Sequence, residues 1–580
     1  MRDDVPAPAP PKARTGGHVL WEVLLSEGVD VVFGYPGGAI MPAYDTILSY
    51  PIRHVLVRHE QGAAHAADGY ARASGKVGVC VATSGPGATN LVTGIATAML
   101  DSVPIVAITG QVSSKFMGTD AFQEVDITGV TLPITKHNYL VSEVEELGPT
   151  LKEAFYVARS GRPGPVLVDI TKDVLQALTD WQDDGSPARL KGYRPKHPID
   201  EATLERAVAL IDKAERPLIL AGHGIVKAEA SAELRAFVEK TGVPVGSTLL
   251  GLGGFPATHP LSLGMMGMHG EAWVNHAVQE ADLLIALGMR FDDRVTGRLD
   301  TYAPRAKKIH VEIDPSEIHK NVKVDVPIVG DVRDVLRALL SRVQQRTRGA
   351  WVARVNESKG SSAVRDIVSL PESGRLFAAH VIHDLWRLTE GKALVVTDVG
   401  QHQMWEAQYY KHDHPRGLVT SGGLGTMGFA LPAAIGAAFS RKGDEIWVVV
   451  GDGGFQMTAC ELATAAQEGV KVNVAIIDNG YLGMVRQWQQ FFYEGRYSAT
   501  PLKSPDFVKL AEAHGLSARR VERRDEIADA VAWARATPGT VVIDFRVEQE
   551  DSVYPMVPAG AALHDMIRRP SPIVETSEDP

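Results

Sequence analysis

A chain of 580 residues is too long for one hydrophobic core and predicts about three to four compact units. Hydrophobic residues at 45% and charged residues at 22% fit a folded globular protein, and a net charge of -11 gives no support to nucleic acid or an anionic membrane as the main partner. Two cysteines, Cys80 and Cys460, exclude a disulfide framework, and no apolar stretch is long enough to span a bilayer, so a cytoplasmic protein with reduced core thiols is expected.

Residues 1–16, rich in Ala, Pro and charge without an apolar signal core, are expected to form a disordered tail. From Gly17 the pattern alternates between helix and strand. Apolar strands are predicted at Val29–Phe33, Val55–Val57, Val77–Thr83, Ile105–Thr109 and Pro165–Ile170, with a helix opening near His59 and a tight glycine turn at Gly34–Gly38. This first unit spans 17–182. A polar linker at 183–198 leads to a second unit, 199–342, with strands at Leu218–Leu220, Leu283–Leu287 and Lys308–Ile313. An irregular charged stretch, 343–374, precedes the third unit, 375–548, with strands at Ala393–Thr397, Ile446–Val450, Val472–Ile477 and Val541–Phe545. Residues 549–580 lack periodicity and are expected to be an arm, a lid or a loose end. The fold class is α/β: three doubly wound parallel sheets, each covered on both faces.

The strongest motif lies in the third unit. Gly451-Asp452-Gly453-Gly454 follows one apolar strand, and Asp478-Asn479-Gly480-Tyr481 follows the next, with Asp452 and Asn479 27 residues apart. One strand–helix–strand unit accounts for that spacing, so both residues sit at the carboxyl ends of parallel strands, where open sheets bind ligands. Mg²⁺ is a small hard cation that binds through few carboxylates plus phosphate oxygens. Asp452 offers the charge, Asn479 a neutral oxygen, and a main-chain carbonyl at Tyr481 a third. Glycines 451, 453 and 454 would let the backbone approach a diphosphate beside a helix N-terminus. Asp-Gly and Asn-Gly are also common turn pairs; the fixed spacing decides between the two readings. Upstream, Gly423-Leu424-Gly425-Thr426-Met427-Gly428 fits a dinucleotide fingerprint, but the only strand before it is the short Leu418–Thr420, so the signal is weak.

With Arg58-His59-Glu60-Gln61-Gly62-Ala63 at the start of a helix, the chain resembles the thiamine-diphosphate enzyme superfamily. That resemblance implies a pyrimidine domain and a diphosphate domain that meet across two subunits. It implies that Glu60 activates the coenzyme, that Met427 wedges under its bend beside Gly425, and that Val399-Gly400-Gln401-His402 runs along it. The segments Phe33–Ala39, Thr83–Asn90, Ala121–Glu124, Ser160–Pro165, Met266–Gly270, Arg290–Gly297 and Gly483–Trp488 go further and resemble the acetohydroxyacid (acetolactate) synthase catalytic-subunit family, from about Gly17 to about Pro558.

The family implies FAD, without net redox, at Arg162, Gly222, Met266, Gly267, Met268, His269, Gly270, Gly288, Arg290, Asp292, Arg294, Asp314 and Asp331. An arginine there would act as a charge-assisted diphosphate clamp. It implies Pro86, Asn90 and Met484 near the thiamine, and Gln123, Gly38 and Lys172 near the reacting centre or its entrance. Arg294 would hold the acceptor's carboxylate while Met268, Met484 and Trp488 line its side-chain pocket. The implied reaction decarboxylates pyruvate and condenses the hydroxyethyl carbanion with pyruvate or 2-ketobutyrate, for branched-chain amino acid synthesis. The implied assembly is a homodimer at least, with a tetramer open, and the family commonly has a small regulatory subunit. A pyruvate oxidase relative and a catalytically dead scaffold are the alternatives. The Trp488 and Arg294 segments argue against the first, and the presence of Glu60, Asp452 and Asn479 against the second. Asp478 departs from relatives that carry Asn there.

Overall fold

The computed structural model describes residues 14–188, 190–360, 370 and 374–570. Three six-stranded sheets carry the chain, and within each sheet every pairing is parallel. The first contains β1 (Val31–Gly34), β2 (Arg53–Leu56), β3 (Gly78–Ala82), β4 (Ile105–Gln111), β5 (His137–Val141) and β6 (Val166–Thr171) in the order β2-β1-β3-β4-β6-β5. The second contains β7 (Pro217–Ala221), β8 (Val245–Ser247), β9 (Ser262–Met265), β10 (Leu283–Leu287), β11 (Lys307–Glu312) and β12 (Val326–Val329), ordered β9-β8-β7-β10-β11-β12. The third contains β13 (Leu394–Thr397), β14 (Leu418–Thr420), β15 (Ile446–Gly451), β16 (Asn473–Asp478), β17 (Ser517–Val521) and β18 (Val541–Arg546), ordered β14-β13-β15-β16-β18-β17.

The outer two sheets therefore share one topology, and the middle sheet has the strand order of dinucleotide-binding folds. Each sheet buries apolar side chains on both faces, so its central strands have no polar side to show.

Five strands went unread in the sequence: β5, β8, β9, β12 and β17. Four are sheet edges, and β8 is three residues long. The stretch 343–374 also departs from expectation. It contains the helix Gly349–Gly360, whose Trp351 is buried and donates to the carbonyl of Pro217 at 3.0 Å; residues 361–369 and 371–373 lie outside the described residues. At the N-terminal end, Arg14–Thr15 pairs antiparallel with Leu178–Thr179, and the tail before it is outside the described residues. Residues 549–570 run as an arm that buries Val553, Met556, Val557 and Leu563, while 571–580 are outside. Cys80 is a core residue as expected, but Cys460 is exposed on the turn between two helices. Among the described residues no helix is long and apolar enough to cross a membrane.

The first and third units join through two small-residue helices, Glu60–Ser74 and Ala430–Ser440. A Cβ on Gly69 would strike the carbonyl of Ala433, and one on Gly436 that of Ala66. Glycine at these two positions sets how closely the axes approach.

Candidate active site

β15 runs without a break into the helix Asp452–Thr458, and β16 ends one residue before Asn479. The two strands pair in register, Gly451 opposite Ile477, so Asp452 and Asn479 come to neighbouring strand ends. Asp452 is buried and accepts a hydrogen bond from Ser504 Oγ at 3.1 Å. Burial, and then the charge of Asp478, push its carboxyl up to about 7. Asn479 donates to Gln401 Oε1 at 3.2 Å and accepts from the Tyr481 amide at 3.1 Å, an arrangement that turns its oxygen toward the Tyr481 turn.

Asp478, the departure from the family pattern, faces away: Arg546 on β18 holds it at 2.9 Å, and the Gly480 amide donates to it. Among the described residues no cluster of three or more His, Cys, Asp or Glu side chains is placed to hold a metal. A cation at Asp452 would thus depend on amide, carbonyl and phosphate oxygens, which suits Mg²⁺ and disfavours softer ions.

The glycines beside Asp452 serve packing more directly than phosphate approach. A Cβ on Gly451 would lie 2.9 Å from His402 Nδ1, one on Gly453 2.8 Å from Leu482, and one on Gly454 would strike Asp398. Asp398 itself is buried at the end of β13 and accepts from the amides of Val399, Gly428 and Ala430, each at 3.0 Å. Two amides of the Gly423–Gly428 fingerprint region and its exit are thereby occupied, so that loop is a support for Met427 and not a dinucleotide cradle. His402 is buried, with its imidazole pushed down to about 3 by burial. Its Nε2 has no hydrogen-bond partner among the described residues. A neutral, unsatisfied ring nitrogen at the wall of a cavity is a ready contact for a polar ligand.

These residues line a single cavity of about 750 Å³. Val399, Gly400, Gln401, His402, Gly425, Met427, Gly451–Gly454, Asn479, Tyr481 and Met484 form one wall. From the middle unit come Met266, Met268, His269, Gly288, Arg290, Asp292 and Arg294, and from the first unit Arg162. Trp488, on the helix Gly483–Phe492, lines it too, packed edge-on against Phe492 at 5.2 Å. Arg294 is half-exposed, its Nη1 3.6 Å from Met268 Sδ. All four expected acceptor-pocket residues are thus together.

Of the expected flavin positions, Gly222, Gly267, Gly270, Asp314 and Asp331 do not line the cavity. Gly222 and Gly288 instead bring the ends of β7 and β10 into backbone contact, at the point where the strand order reverses. Gly267, at φ 99, lies against the Arg294 carbonyl, and Asn275 clamps its peptide by bonds of 2.9 Å to both N and O. Asp331 caps the helix Val332–Leu340 at the far edge of the sheet. Asp314 caps a turn and pairs with Arg162, which also binds Glu317 at 2.8 Å and Ser102 at 2.8 Å. Arg162 is therefore an already satisfied cation, not an open clamp.

Sequence reasoning missed His223, Lys227 and Glu312, which also line the cavity. Burial, then Arg72 and Arg416, hold the Lys227 ammonium down at about 7, and burial pushes Glu312 up to about 7. A His-Gly pair closing β7 with a lysine one turn later was the available signal.

The remaining predicted residues gather elsewhere. Glu60 opens its helix behind the N-cap His59, whose ring accepts from the Gln61 amide at 3.1 Å. Asn90 donates to Glu60 Oε2 at 2.9 Å, and a Cβ on Gly87 would lie 3.3 Å from Glu60 Oε1. Pro86 starts the short helix ahead of Asn90. Gln123, at φ 61, lies over Gly85, and the loop through Gly38 is tied to the same segment by the Ala39 amide on Thr83 Oγ1 at 3.3 Å. Lys172 follows β6 at the carboxyl end of the same sheet. None of Gly38, Glu60, Pro86, Asn90, Gln123 and Lys172 lines the cavity. The expected residues thus fall into two groups, one lining the cavity and one apart from it.

Residues 14–130 match the family described as thiamine pyrophosphate enzyme, N-terminal TPP binding domain; 204–339 match the central domain, and 398–545 the C-terminal TPP binding domain. The chain is 51% identical over 573 residues to the acetolactate synthase large subunit of Corynebacterium glutamicum, covering 96% of this chain and 91% of that protein. It is 50% identical over 561 residues to the acetolactate synthase of Mycobacterium bovis, covering 94% and 90%. With the probable acetolactate synthase large subunit of Methanocaldococcus jannaschii it shares 46% over 565 residues, covering 95% of each.

Proposed function

The chain belongs to the acetolactate synthase large-subunit family of thiamine pyrophosphate enzymes, and from that membership we infer how its residues divide the reaction. The protein is an acetolactate synthase: it decarboxylates pyruvate and joins the two-carbon unit to a second pyruvate or to 2-ketobutyrate, giving products for branched-chain amino acid synthesis. Bound thiamine diphosphate supplies the carbon nucleophile. The observation that carries the assignment of roles is the single cavity joining Asp452 and Asn479 to Arg294, Met268, Met484 and Trp488.

Mg²⁺ would be held by Asp452, Asn479 and the Tyr481 main-chain oxygen, and the buried carboxyl of Asp452, which makes no ion pair among the described residues, supports this because a cation would return it to the charged form. Met427, on the loop that Asp398 fixes, would support the bound coenzyme. Glu60, whose Oε2 accepts from Asn90, would hold the proton that assists the aminopyrimidine ring of bound coenzyme, help that is typically worth roughly 10²–10⁴-fold. Arg294 binds the acceptor carboxylate, and Trp488 favours the larger acceptor by contact with its extra methylene. FAD would lie along the middle sheet's switch point beside Gly288 and Arg290, with Asn275 holding the Gly267 turn; the strand order supports it, and the chemistry of the reaction asks no electrons of it.

Because Glu60 and Asp452 lie in separate half-sites, the working enzyme is a homodimer in which each copy completes the other's site. Mixing Glu60→Gln and Asp452→Ala chains tests this directly. Each alone is inactive in converting pyruvate to acetolactate with coenzyme, Mg²⁺ and FAD. After subunit exchange, random pairing makes half of the dimers hybrid with one intact site, restoring about a quarter of parental activity. No recovery in demonstrably mixed dimers refutes the shared site, and acetaldehyde as the sole product of the parent refutes the synthase reading.

A further inference from the structure

A buried carboxylate in the third unit does not line that cavity and makes no ion pair among the described residues. Glu461 opens the helix Glu461–Glu468, shortly after the helix that begins at Asp452, and is 1% exposed. It accepts from the Arg58 amide at 3.1 and 3.2 Å, from the His59 amide at 3.1 Å and from Thr464 Oγ1 at 2.6 Å. Arg58 and His59 are the two residues that precede Glu60, and His59 is its helix N-cap.

Room for this contact is left by Gly62, where a Cβ would strike Glu461 Oε1. Burying a carboxylate is unfavourable unless donors satisfy it, and burial raises this one above its ordinary range. Here the donors are main-chain amides at a helix N-terminus, whose dipole favours negative charge. The first helix of the Glu60 half-site is capped from another domain of the same chain.

We propose that Glu461 is a positioning residue for Glu60. It fixes the backbone turn from which Glu60 projects, and so sets the direction of that carboxyl toward Asn90 and toward the coenzyme, while touching neither. The proposal rests on the reading that Glu60 acts on thiamine diphosphate. Neighbouring contacts hold the same segment against the third unit independently: Arg58 donates to Gln467 Oε1 at 2.7 Å, and Arg53 pairs with Glu468 at 2.5 Å. Removing Glu461 alone should therefore loosen the turn without parting the domains.

Three variants of the full chain test it. Glu461→Gln keeps an oxygen for both amides and offers an N–H that the Thr464 hydroxyl can accept. Glu461→Leu keeps only bulk, and Glu60→Gln removes the acting carboxyl. In the coenzyme-free protein, amide hydrogen exchange read by mass spectrometry should show residues 56–62 losing protection in E461L and keeping it in E461Q. With thiamine diphosphate and Mg²⁺ bound, exchange of the coenzyme C2 proton should slow about tenfold or more in E461L at unchanged coenzyme affinity, since small misplacements cost rate steeply, and should be nearly parental in E461Q.

Parental C2 exchange in E461L overturns the proposal. So does lost coenzyme affinity with unchanged exchange per bound coenzyme, which marks a merely structural role. Parental exchange in E60Q overturns the reading of Glu60 instead. Should E461L fail to fold, Thr464→Val decides, since it removes the 2.6 Å hydroxyl bond from Glu461 Oε2 and leaves that oxygen only the 3.2 Å contact with the Arg58 amide: slowed exchange supports positioning, and parental exchange overturns it.

Discussion

Arg72 ties the two outer domains together, and replacing it with methionine tests whether their contact is electrostatic as well as steric. The guanidinium is almost wholly buried beneath the junction of the helices Glu60–Ser74 and Ala430–Ser440. It donates to both oxygens of Asp68, to Asp101 at 2.8 Å and to the Thr420 carbonyl at 2.9 Å, and it lies 5.4 Å from the Phe429 ring. Asp101 in turn accepts from the amides of Gly422 and Gly423 at 3.0 and 2.7 Å, the loop that leads to Met427. Arg72→Met preserves much of the volume but removes the guanidinium that both buried carboxylates bind, leaving only the through-space charge of Lys227, and breaking such a buried pair costs about 3–5 kcal/mol. The two acids are not equivalent. Asp101 keeps its amides, whereas Asp68 loses the guanidinium bonded to both its oxygens, and burial already holds it above its ordinary range. Adding Asp68→Asn to R72M should therefore recover roughly 2 kcal/mol, the scale of one buried charged group's uncompensated desolvation. Equilibrium urea unfolding, at fixed protein, coenzyme and metal concentration, measures both. A loss below about 1 kcal/mol for R72M, the size of a surface pair, or a second substitution that adds to the damage, would refute the reasoning.

Asp398 carries a pH signature. Burial raises its carboxyl to about 6 in the fold, against 3.8 for an ordinary aspartate. A raised value means that its contribution to stability is present in full below the unfolded value and is lost as pH rises through 6. The parent should thus gain on Asp398→Asn by about 1.4 kcal/mol per pH unit on going from 6 toward 4. Unfolding of the two proteins side by side gives the slope, and a flat or opposite difference contradicts it. Trp488→Leu should lower the ratio of acetohydroxybutyrate to acetolactate by about tenfold in mixed pyruvate and 2-ketobutyrate, given roughly 1–3 kcal/mol per methylene contact. Product analysis decides, and an unchanged ratio removes Trp488 from the acceptor pocket.

Legibility in the sequence followed burial. Central strands such as Ile446–Val450 and Leu283–Leu287 are covered on both faces, so their apolar runs are continuous and announce themselves. Edge strands are not: His137–Val141 and Ser517–Val521 are half-exposed, carry polar side chains, and look like loops. The Asp452–Asn479 pair was readable because adjacent parallel strands fix a separation in the chain. What those residues do to each other was not. That Gly451 and Gly454 make room for His402 and Asp398, or that Arg162 is already satisfied by Asp314 and Glu317, depends on contacts between segments distant in the chain. Glu461 is the extreme case, a lone helical glutamate whose partner amides lie 403 and 402 positions away.

Shared topology explains why the site comes in halves. In the first and third domains the first and third strands are neighbours, and the chain direction reverses its order there. Gly38 follows strand one and the Thr83–Asn90 segment follows strand three in the first domain; Val399–His402 and Gly451–Gly454 follow the same two strands in the third. Each domain thus presents a crevice at the same topological position, where open α/β sheets bind ligands, but one carries the Glu60 carboxylate hydrogen-bonded to Asn90 and the other the Asp452 and Asn479 pair. The helix contact through Gly69 and Gly436 fastens these domains within one chain by their helical faces, and the cavity does not extend from one crevice to the other. On the proposed reading a crevice so separated from its complement in its own chain calls for the complement of another, and the proposed two-fold related pair of chains, each supplying what the other lacks, would be the smallest arrangement in which Glu60 and Asp452 could act on one coenzyme.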